Sequence, residues 1–461
     1  MTRARKDVAN RPMSRLWART RASWQRSRSL VTPPARPARP ATPGGLSIAF
    51  LVYRGNPNVG GQGIYTRYLT RELVALGHRV EVFAGPPWPV LDEGVGFTPV
   101  PGLDLYRQPD PFRLPAPFEI RHWADVVEAL GVMSGSFAEP RAFAMRVRRA
   151  LRGRREEFDV IHDDQCIAPG IAALRREGWP VLETLHHPIT VDRRIALEHA
   201  STWLKRYGVR RWYGFVATQS RVLRHLGPVV TVSESSRRDI EREMGVEAHR
   251  LRVVPVGVDH EVYRPRPDVE RVPGRLMVTS SSDAPMKGLI PLLNAVASVR
   301  ARHDISLVLI GRPEAGGAVD RTIEALGLRE VVTTISGVSD EEMACHYSAA
   351  EVAIVPSLYE GFSLPAIEAM ACATPLIATT GGAIPEVVGD HGVSALLVPP
   401  NDSRRLAEAI ECALGDRELR RRLGEAGRQR VLERYTWRTT AQSTVRLYRE
   451  LLGEDPGDNG C

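Results

Sequence analysis

The chain has 461 residues, about three times a ~150-residue domain, with 43% hydrophobic, 25% charged and 6% aromatic residues. That balance fits a two-domain α/β protein and excludes a disordered or fibrous one; no apolar run approaches the ~18 residues that span a bilayer. Net charge is +8, but residues 1–45 alone hold eleven Lys/Arg against Asp7, a net of +10, so the remainder stands at −2 and gives no support for nucleic-acid binding.

The first 45 residues also carry six prolines and few aliphatics, so they cannot bury a core and read as a disordered basic tail. They lack the apolar stretch of a secretory signal. The competing reading is a loose anchor to anionic lipid through the arginines with Trp17 and Trp24. Five scattered cysteines form neither a disulfide framework nor a zinc spacing, which points to a reducing cytoplasm.

From Leu46 the pattern changes. Leu46–Tyr53 is an apolar run that ends in a Gly/Asn/Pro loop, Gly55–Gly63. Tyr65, Leu69, Leu73 and Leu76 then share one helical face closed by Gly77, and Arg79–Ala84 predicts a second strand, which makes a βαβ unit. Residues 86–117, with nine prolines, read as an irregular excursion. A basic helix is expected over Pro140–Arg155, with seven arginines interleaved with Phe143, Met145, Val147 and Leu151. It reads either as a surface helix packing one face or as a contact with an anionic membrane. Strands follow at Phe158–His162, Pro180–Leu185, Val229–Val232 and Leu251–Pro255, with helical segments near Ile167–Glu177 and over 194–226.

Prolines among charges mark a linker at 263–273. A second alternating series then predicts strands at 275–280, 305–310, 331–335, 352–356, 375–379 and 395–398. Ser306–Ile310 and Val352–Val355 are almost continuously apolar, as in a sheet buried on both faces. Helices at about 402–414, 416–434 and 437–452 close the series. The expected architecture is two doubly wound, Rossmann-like α/β domains facing across a cleft, over 46–262 and 274–435, with a final helical segment at 436–455.

The most specific chemistry lies in Ser357–Met370, which leaves a strand and opens a helix. Ser363 is placed as an N-cap and Pro365 in the first turn, so free backbone N–H groups point toward the ligand side of the sheet. Glu360 precedes that helix and Glu368 lies inside it, seven residues apart, one for the cleft mouth and one able to accept from a ribose diol. Gly60-Gly61-Gln62-Gly63 sits at the first strand–helix turn without the spacing of a dinucleotide fingerprint. Lys287-Gly288 offers a cation beyond the strand at 275–280. His186 and His187 end a strand, and His162-Asp163-Asp164 lacks the pattern of a metal site.

The Glu360–Glu368 block, continued by Gly381–Val388 and Leu397-Val398-Pro399, resembles the retaining glycosyltransferases of family 4, which have the GT-B fold. The resemblance covers roughly residues 46–455. It implies a nucleoside diphosphate-sugar donor held by the second domain, an acceptor held by the first, no metal or other cofactor, and a final helix crossing back to the first domain. Glu360, Lys287 and His186 would then be catalytic. Gly61, Ser281, Ser282, Val338, Gly361, Phe362, Ser363, Leu364 and Glu368 would face the donor, and Gly60, Gly63 and His187 the acceptor. One departure stands out: where the family carries an Arg five or six residues before the Lys, this chain has Ser281 or Ser282, which leaves Lys287, backbone amides or Arg312 to meet the diphosphate. Val256 stands where the family often has Asn. The alternatives are another enzyme on the same fold, such as a nucleotide-sugar epimerase or a phosphorylase, and a binding protein that has lost catalysis.

Overall fold

The computed structural model describes residues 44–56, 61–107, 113–280 and 284–454. The basic tail over 1–43 and the loop residues Gly60, Ser281 and Ser282 lie outside the described residues. Seven strands build the first sheet: β1 (Ser47–Val52), β2 (Arg79–Ala84), β3 (Gly96–Pro99), β4 (Val160–Asp164), β5 (Val181–Thr184), β6 (Val229–Thr231) and β7 (Leu251–Val253). They run β3-β2-β1-β4-β5-β6-β7, with every ladder parallel. Six strands build the second: β8 (Arg275–Ser280), β9 (Ser306–Gly311), β10 (Val332–Ile335), β11 (Val352–Val355), β12 (Leu376–Thr379) and β13 (Leu396–Val398), in the order β10-β9-β8-β11-β12-β13, also parallel.

The apolar runs explain the layering. Strands β4, β5, β6, β11 and β12 are buried at every position, because crossover helices cover both faces of each sheet. Strand order reverses once in each sheet, between β1 and β4 and between β8 and β11. Open α/β sheets hold ligands in the crevice outside the strand carboxyl ends at such a reversal. The loops that matter therefore follow Val52, Asp164, Ser280 and Val355.

Two local expectations need correction. The excursion over 86–117 is not wholly irregular: it contains β3, which pairs with β2 from Glu81 opposite Gly96 to Ala84 opposite Pro99. A proline is tolerated there because β3 is an edge strand and has no further neighbour that needs its N–H. The basic helix is Glu139–Ala150, and the chain beyond it turns at Gly153 with a φ of 78°. Between β5 and β6 stand three helices, Ile189–His199, Trp203–Trp212 and Phe215–Leu223.

The last helix, Trp437–Leu452, packs on helix Gly61–Ala75 of the first sheet. Trp437 stacks on Tyr68 with ring centroids 5.5 Å apart, and Thr440 Oγ1 donates to the Pro255 carbonyl at 2.8 Å. Tyr448 is wholly buried, and its hydroxyl lies 2.6 Å from His162 Nδ1 under β4. The other ring nitrogen of His162 is 2.7 Å from Thr184 Oγ1, and burial pushes this histidine down to about 3, so it stays neutral. Tyr448→Phe leaves a buried ring nitrogen unpaired at almost constant volume. The expected loss is about 1–3 kcal/mol, read as a lower urea midpoint with the circular dichroism spectrum unchanged.

Candidate active site

The chain leaves β11 at Val355 and enters helix Leu364–Ala371 through a loop packed on both sides. Glu360 is its acidic point. Lys287 Nζ lies 2.9 Å and Ser357 Oγ 2.7 Å from the same oxygen, Glu360 Oε1. Lys287 reaches it from a short turn, Pro285–Lys287, that is tied to the loop by the Leu358 N–H donating to the Met286 carbonyl at 2.7 Å. Ser363 occupies the expected N-cap position, but its side chain makes no capping bond. Its φ is 103°, and Oγ is buried without a partner among the described residues. A strained non-glycine backbone with an orphaned hydroxyl at a helix start is a feature of ligand sites. The amides of Phe362, Ser363 and Leu364 lie in the same turn, at the amino end of the helix.

Glu368 lies one turn further in. Tyr347 Oη donates to its Oε2 at 3.1 Å. Burial raises its carboxyl to about 7, with the Tyr347 hydrogen bond opposing and the Asp340 charge adding. Asp340 in turn accepts from Tyr68 Oη at 2.9 Å and Tyr263 Oη at 3.2 Å. Val338 sits in the loop after β10, two residues before Asp340, and packs partly on the core. Arg312 is exposed immediately after β9, whose Gly311 pairs with Ser280 at the end of β8. It therefore stands beside the carboxyl end of β8.

The first sheet supplies the opposite wall. His186 leaves β5, with Nε2 2.8 Å from Asp164 Oδ1 at the end of β4 and its ring edge-on to Tyr65 at 4.6 Å. His187 is 3.0 Å from Asp192 Oδ2. Burial opposes its charged form, but the Asp192 hydrogen bond and charge outweigh burial and raise it. The charges of Glu360 and Lys287 act on it as well, so the histidine pair and the acidic loop share one space. Gly361 is where they touch: a Cβ there would lie 2.8 Å from that of His187. The Gly361 carbonyl accepts from Ser233 Oγ at 2.7 Å and Ser236 Oγ at 3.1 Å.

The glycines after β1 divide. Gly61 opens helix Gly61–Ala75 onto free space, whereas a Cβ on Gly63 would strike the Asn56 carbonyl at 2.0 Å. Gly63 therefore packs its Cα against the preceding loop. In the His162-Asp163-Asp164 run the first two residues are structural: His162 bonds to Tyr448 and Thr184, and Asp163 Oδ2 accepts from the Ile167 amide at 3.0 Å. Among the described residues no group of three or more His, Cys, Asp or Glu side chains is arranged to hold a metal.

Several residues at the site carry no local signal. Asp164, Ser233, Ser236 and Tyr347 are placed by long-range contacts, and Asp192 by one five positions away. Glu386 did have one, since it lies in the Gly381–Val388 segment. Its carboxylate accepts the amides of Glu234 and Ser235, at 2.9 and 3.2 Å, and so caps helix Glu234–Met244 from across the cleft.

Residues 59–262 match the family described as Glycosyltransferase Family 4, and residues 267–430 match Glycosyl transferases group 1. The MMP alpha-(1->4)-mannosyltransferase of Mycolicibacterium hassiacum is 46% identical over 408 residues, 88% of this chain and 98% of that protein. The chain belongs to glycosyltransferase family 4.

This family 4 glycosyltransferase is also 29% identical to a D-inositol 3-phosphate glycosyltransferase of Frankia alni, over 86% of this chain and 96% of that one. Sucrose-phosphate synthase from Thermosynechococcus elongatus superposes with a TM-score of 0.68 at 26% identity, covering 88% of this chain and 99% of its own. The Anabaena protein HepE, solved with UDP-glucose, shares the fold with a TM-score of 0.62 at 18% identity, over 88% of this chain and all of its own. The enzyme has the GT-B fold, with its last helix returned to the first sheet. Among the described residues no helix is long and apolar enough to cross a membrane.

One measurement isolates the environment of Glu368. Its carboxyl is expected to titrate near 7 in carbon-detected NMR, remaining neutral below that pH. Tyr347→Phe removes the hydrogen bond that favours the charged form and moves the midpoint higher; an ordinary midpoint near the free-carboxylate value of about 4.3 would contradict this account.

Proposed function

We propose that this glycosyltransferase moves mannose, with retention of the α configuration, from a nucleoside diphosphate-mannose to a 4-hydroxyl of a sugar acceptor. The M. hassiacum relative supports the sugar and the linkage, because the two chains align over nearly all of that enzyme. The observation that carries the chemistry is the cluster of Lys287, Ser357 and Glu360 on one wall, opposite His186 and His187 on the other.

In this reading Glu368 accepts the ribose hydroxyls, while Glu360 and His186 orient the sugar. Asp164 keeps the His186 ring in place. The bond from C1 to the phosphate oxygen breaks as negative charge gathers on the departing diphosphate. Lys287, Arg312 and the amides from Phe362 to Leu364 meet that charge. No side chain at the site is assigned as a nucleophile, so the acceptor oxygen attacks from the face the diphosphate leaves, and a phosphate oxygen takes its proton. No metal is assigned a step, because these cations and amides perform its neutralising task.

The test is a thermal-shift and donor-hydrolysis screen with GDP-, UDP- and ADP-sugars in the presence of a chelator, GDP-mannose being the expected substrate. Lys287→Ala should lower kcat by about 10²–10³-fold, and Glu360→Ala should lower kcat/KM at least roughly tenfold. A wild type that neither binds nor hydrolyses any nucleotide sugar defeats the reading, and a β-linked product defeats the retaining mechanism.

A peripheral contact with an anionic membrane belongs to the same proposal, but its support comes from helix Trp203–Trp212 and not from Glu139–Ala150. In the latter, Arg146 is paired with Asp125 and Glu128, and Arg148 with Glu177. Helix Trp203–Trp212 has no buried residue, four cations (Lys205, Arg206, Arg210, Arg211) and no acid, with Trp203 78% and Tyr207 61% exposed. Each such cation contributes about 1 kcal/mol near an anionic surface. Flotation with phosphatidylglycerol vesicles should retain the wild type and lose the variant carrying Trp203→Ala, Lys205→Glu and Arg210→Glu. Equal flotation of both removes this helix from the contact.

A further inference from the structure

The two domains also meet at a cluster of tyrosines behind the donor side. Helix Gly61–Ala75 of the first domain starts at Gly61, and Tyr68 follows seven residues later, about two turns on and on the same face. The buried Tyr68 ring is held in place: Trp437 of the returning helix stacks on it, and the Arg71 guanidinium lies 4.8 Å from its centroid. Arg71 is itself fixed by Asp259 at 2.8 Å. The Tyr68 hydroxyl crosses to the second domain, where Asp340 Oδ2 accepts it at 2.9 Å, 272 positions away in sequence. A hydrogen bond to an ionised carboxylate is roughly twice as strong as a neutral one.

Asp340 opens helix Asp340–Ala349, whose amino end is already capped. Ser339 Oγ accepts the Glu342 amide at 3.2 Å, and Glu342 Oε2 accepts the Ser339 amide at 2.7 Å. The Asp340 carboxylate is therefore not needed as a cap, and its other oxygen accepts from Tyr263 Oη at 3.2 Å. The Tyr263 ring stands edge-on to that of Tyr347, with centroids 6.4 Å apart. Tyr347 lies seven residues after Asp340 on the same helix, and its hydroxyl donates to Glu368 at 3.1 Å. One short helix thus has the first domain gripping its start and the Glu368 carboxyl meeting its far end. Asp340 and Glu368 are close enough that the charge of the first raises the second.

We propose that Asp340 is a positioning residue for the donor nucleotide: held by Tyr68 across the domain boundary, it sets helix Asp340–Ala349 so that Tyr347 aims Glu368 at the ribose hydroxyls. The inference rests on the reading of Glu368 as the ribose acceptor and adds that a first-domain side chain takes part in selecting the ribose. Asp340 acts through Tyr347 and Glu368 on binding, so its loss weakens donor affinity and leaves the bond-forming step unchanged.

Titration calorimetry with GDP, 2′-deoxy-GDP and 3′-deoxy-GDP tests this, because each analogue lacks one ribose hydroxyl. The wild type should bind GDP roughly tenfold or more tightly than at least one deoxy analogue. Tyr68→Phe keeps the ring stack and removes only the hydroxyl; it should cut that preference to roughly two- to threefold, mostly by weakening GDP. Asp340→Ala should do the same, and Asp340→Asn, whose amide oxygen still accepts, should recover part of the preference. Tyr68→Phe combined with Asp340→Ala should do no more than Asp340→Ala alone, since residues acting along one path are not additive. With GDP-mannose, Tyr68→Phe should raise KM and leave kcat within roughly twofold. A general loosening of the fold would weaken all three nucleotides alike. That result, an unchanged preference in Tyr68→Phe, or additive losses in the double variant overturns the positioning role while leaving the ribose reading intact. A wild type that binds GDP and both analogues equally defeats the ribose reading of Glu368, and this inference with it.

Discussion

A single carbonyl, that of Gly361, joins the two halves of the site. It accepts hydroxyls from Ser233 and Ser236, which belong to the first sheet's side of the cleft, while its neighbour Glu360 is held by Lys287 and Ser357 of the second. Glu386 and Tyr359 reinforce the same junction, one by capping helix Glu234–Met244 and the other by donating to Asp239 Oδ2 at 2.6 Å. The Glu360 loop and the side that carries His186 and His187 are thus brought together by backbone and small side chains. Little of that geometry would survive a larger residue at Gly361, because His187 is already in contact there.

Behind three of the expected site residues stands a partner, buried at Asp164 and Tyr347 and partly exposed at Asp192. Asp164 holds His186, Asp192 holds His187, and Tyr347 holds Glu368. The layer below is more unusual. Burial lifts Asp163 to about 7 and raises Glu183 well above the carboxylate range, and each bears on the other. Two acids so placed keep at least one proton between them at neutral pH. Between them they carry at most about one negative charge within β4 and β5.

Much of this was legible in the residues themselves. Alternating apolar runs and helical faces predict the parallel sheets because a sheet covered on both sides leaves a simple hydrophobic record. The Glu360–Glu368 spacing with Ser363 and Pro365 places a helix start where the structure has one. Other features left no record. Strand β3 is short and ends in proline, so only its pairing with β2 reveals it. Gly63 looks like a ligand-facing glycine, and only the carbonyl of Asn56 shows that it packs. The side chain of Ser363 does not cap, because the backbone there takes a φ of 103°. Asp164 and Ser236 gain their parts from contacts 22 and 125 positions away, which no local pattern encodes.

The returning helix has a consequence for how the protein comes into being. His162 finds its partner, Tyr448, 286 positions later, after every strand of the second sheet has been made. Until then the first half of the nascent chain lacks the hydroxyl that pairs with His162 and the indole that packs on Tyr65 and Tyr68. Such non-local closure is slow to form, and exposed intermediates of this kind are prone to aggregate. The first domain therefore reaches its final form only when the chain is nearly complete, and the enzyme is better regarded as one folding unit than as two modules joined by a linker.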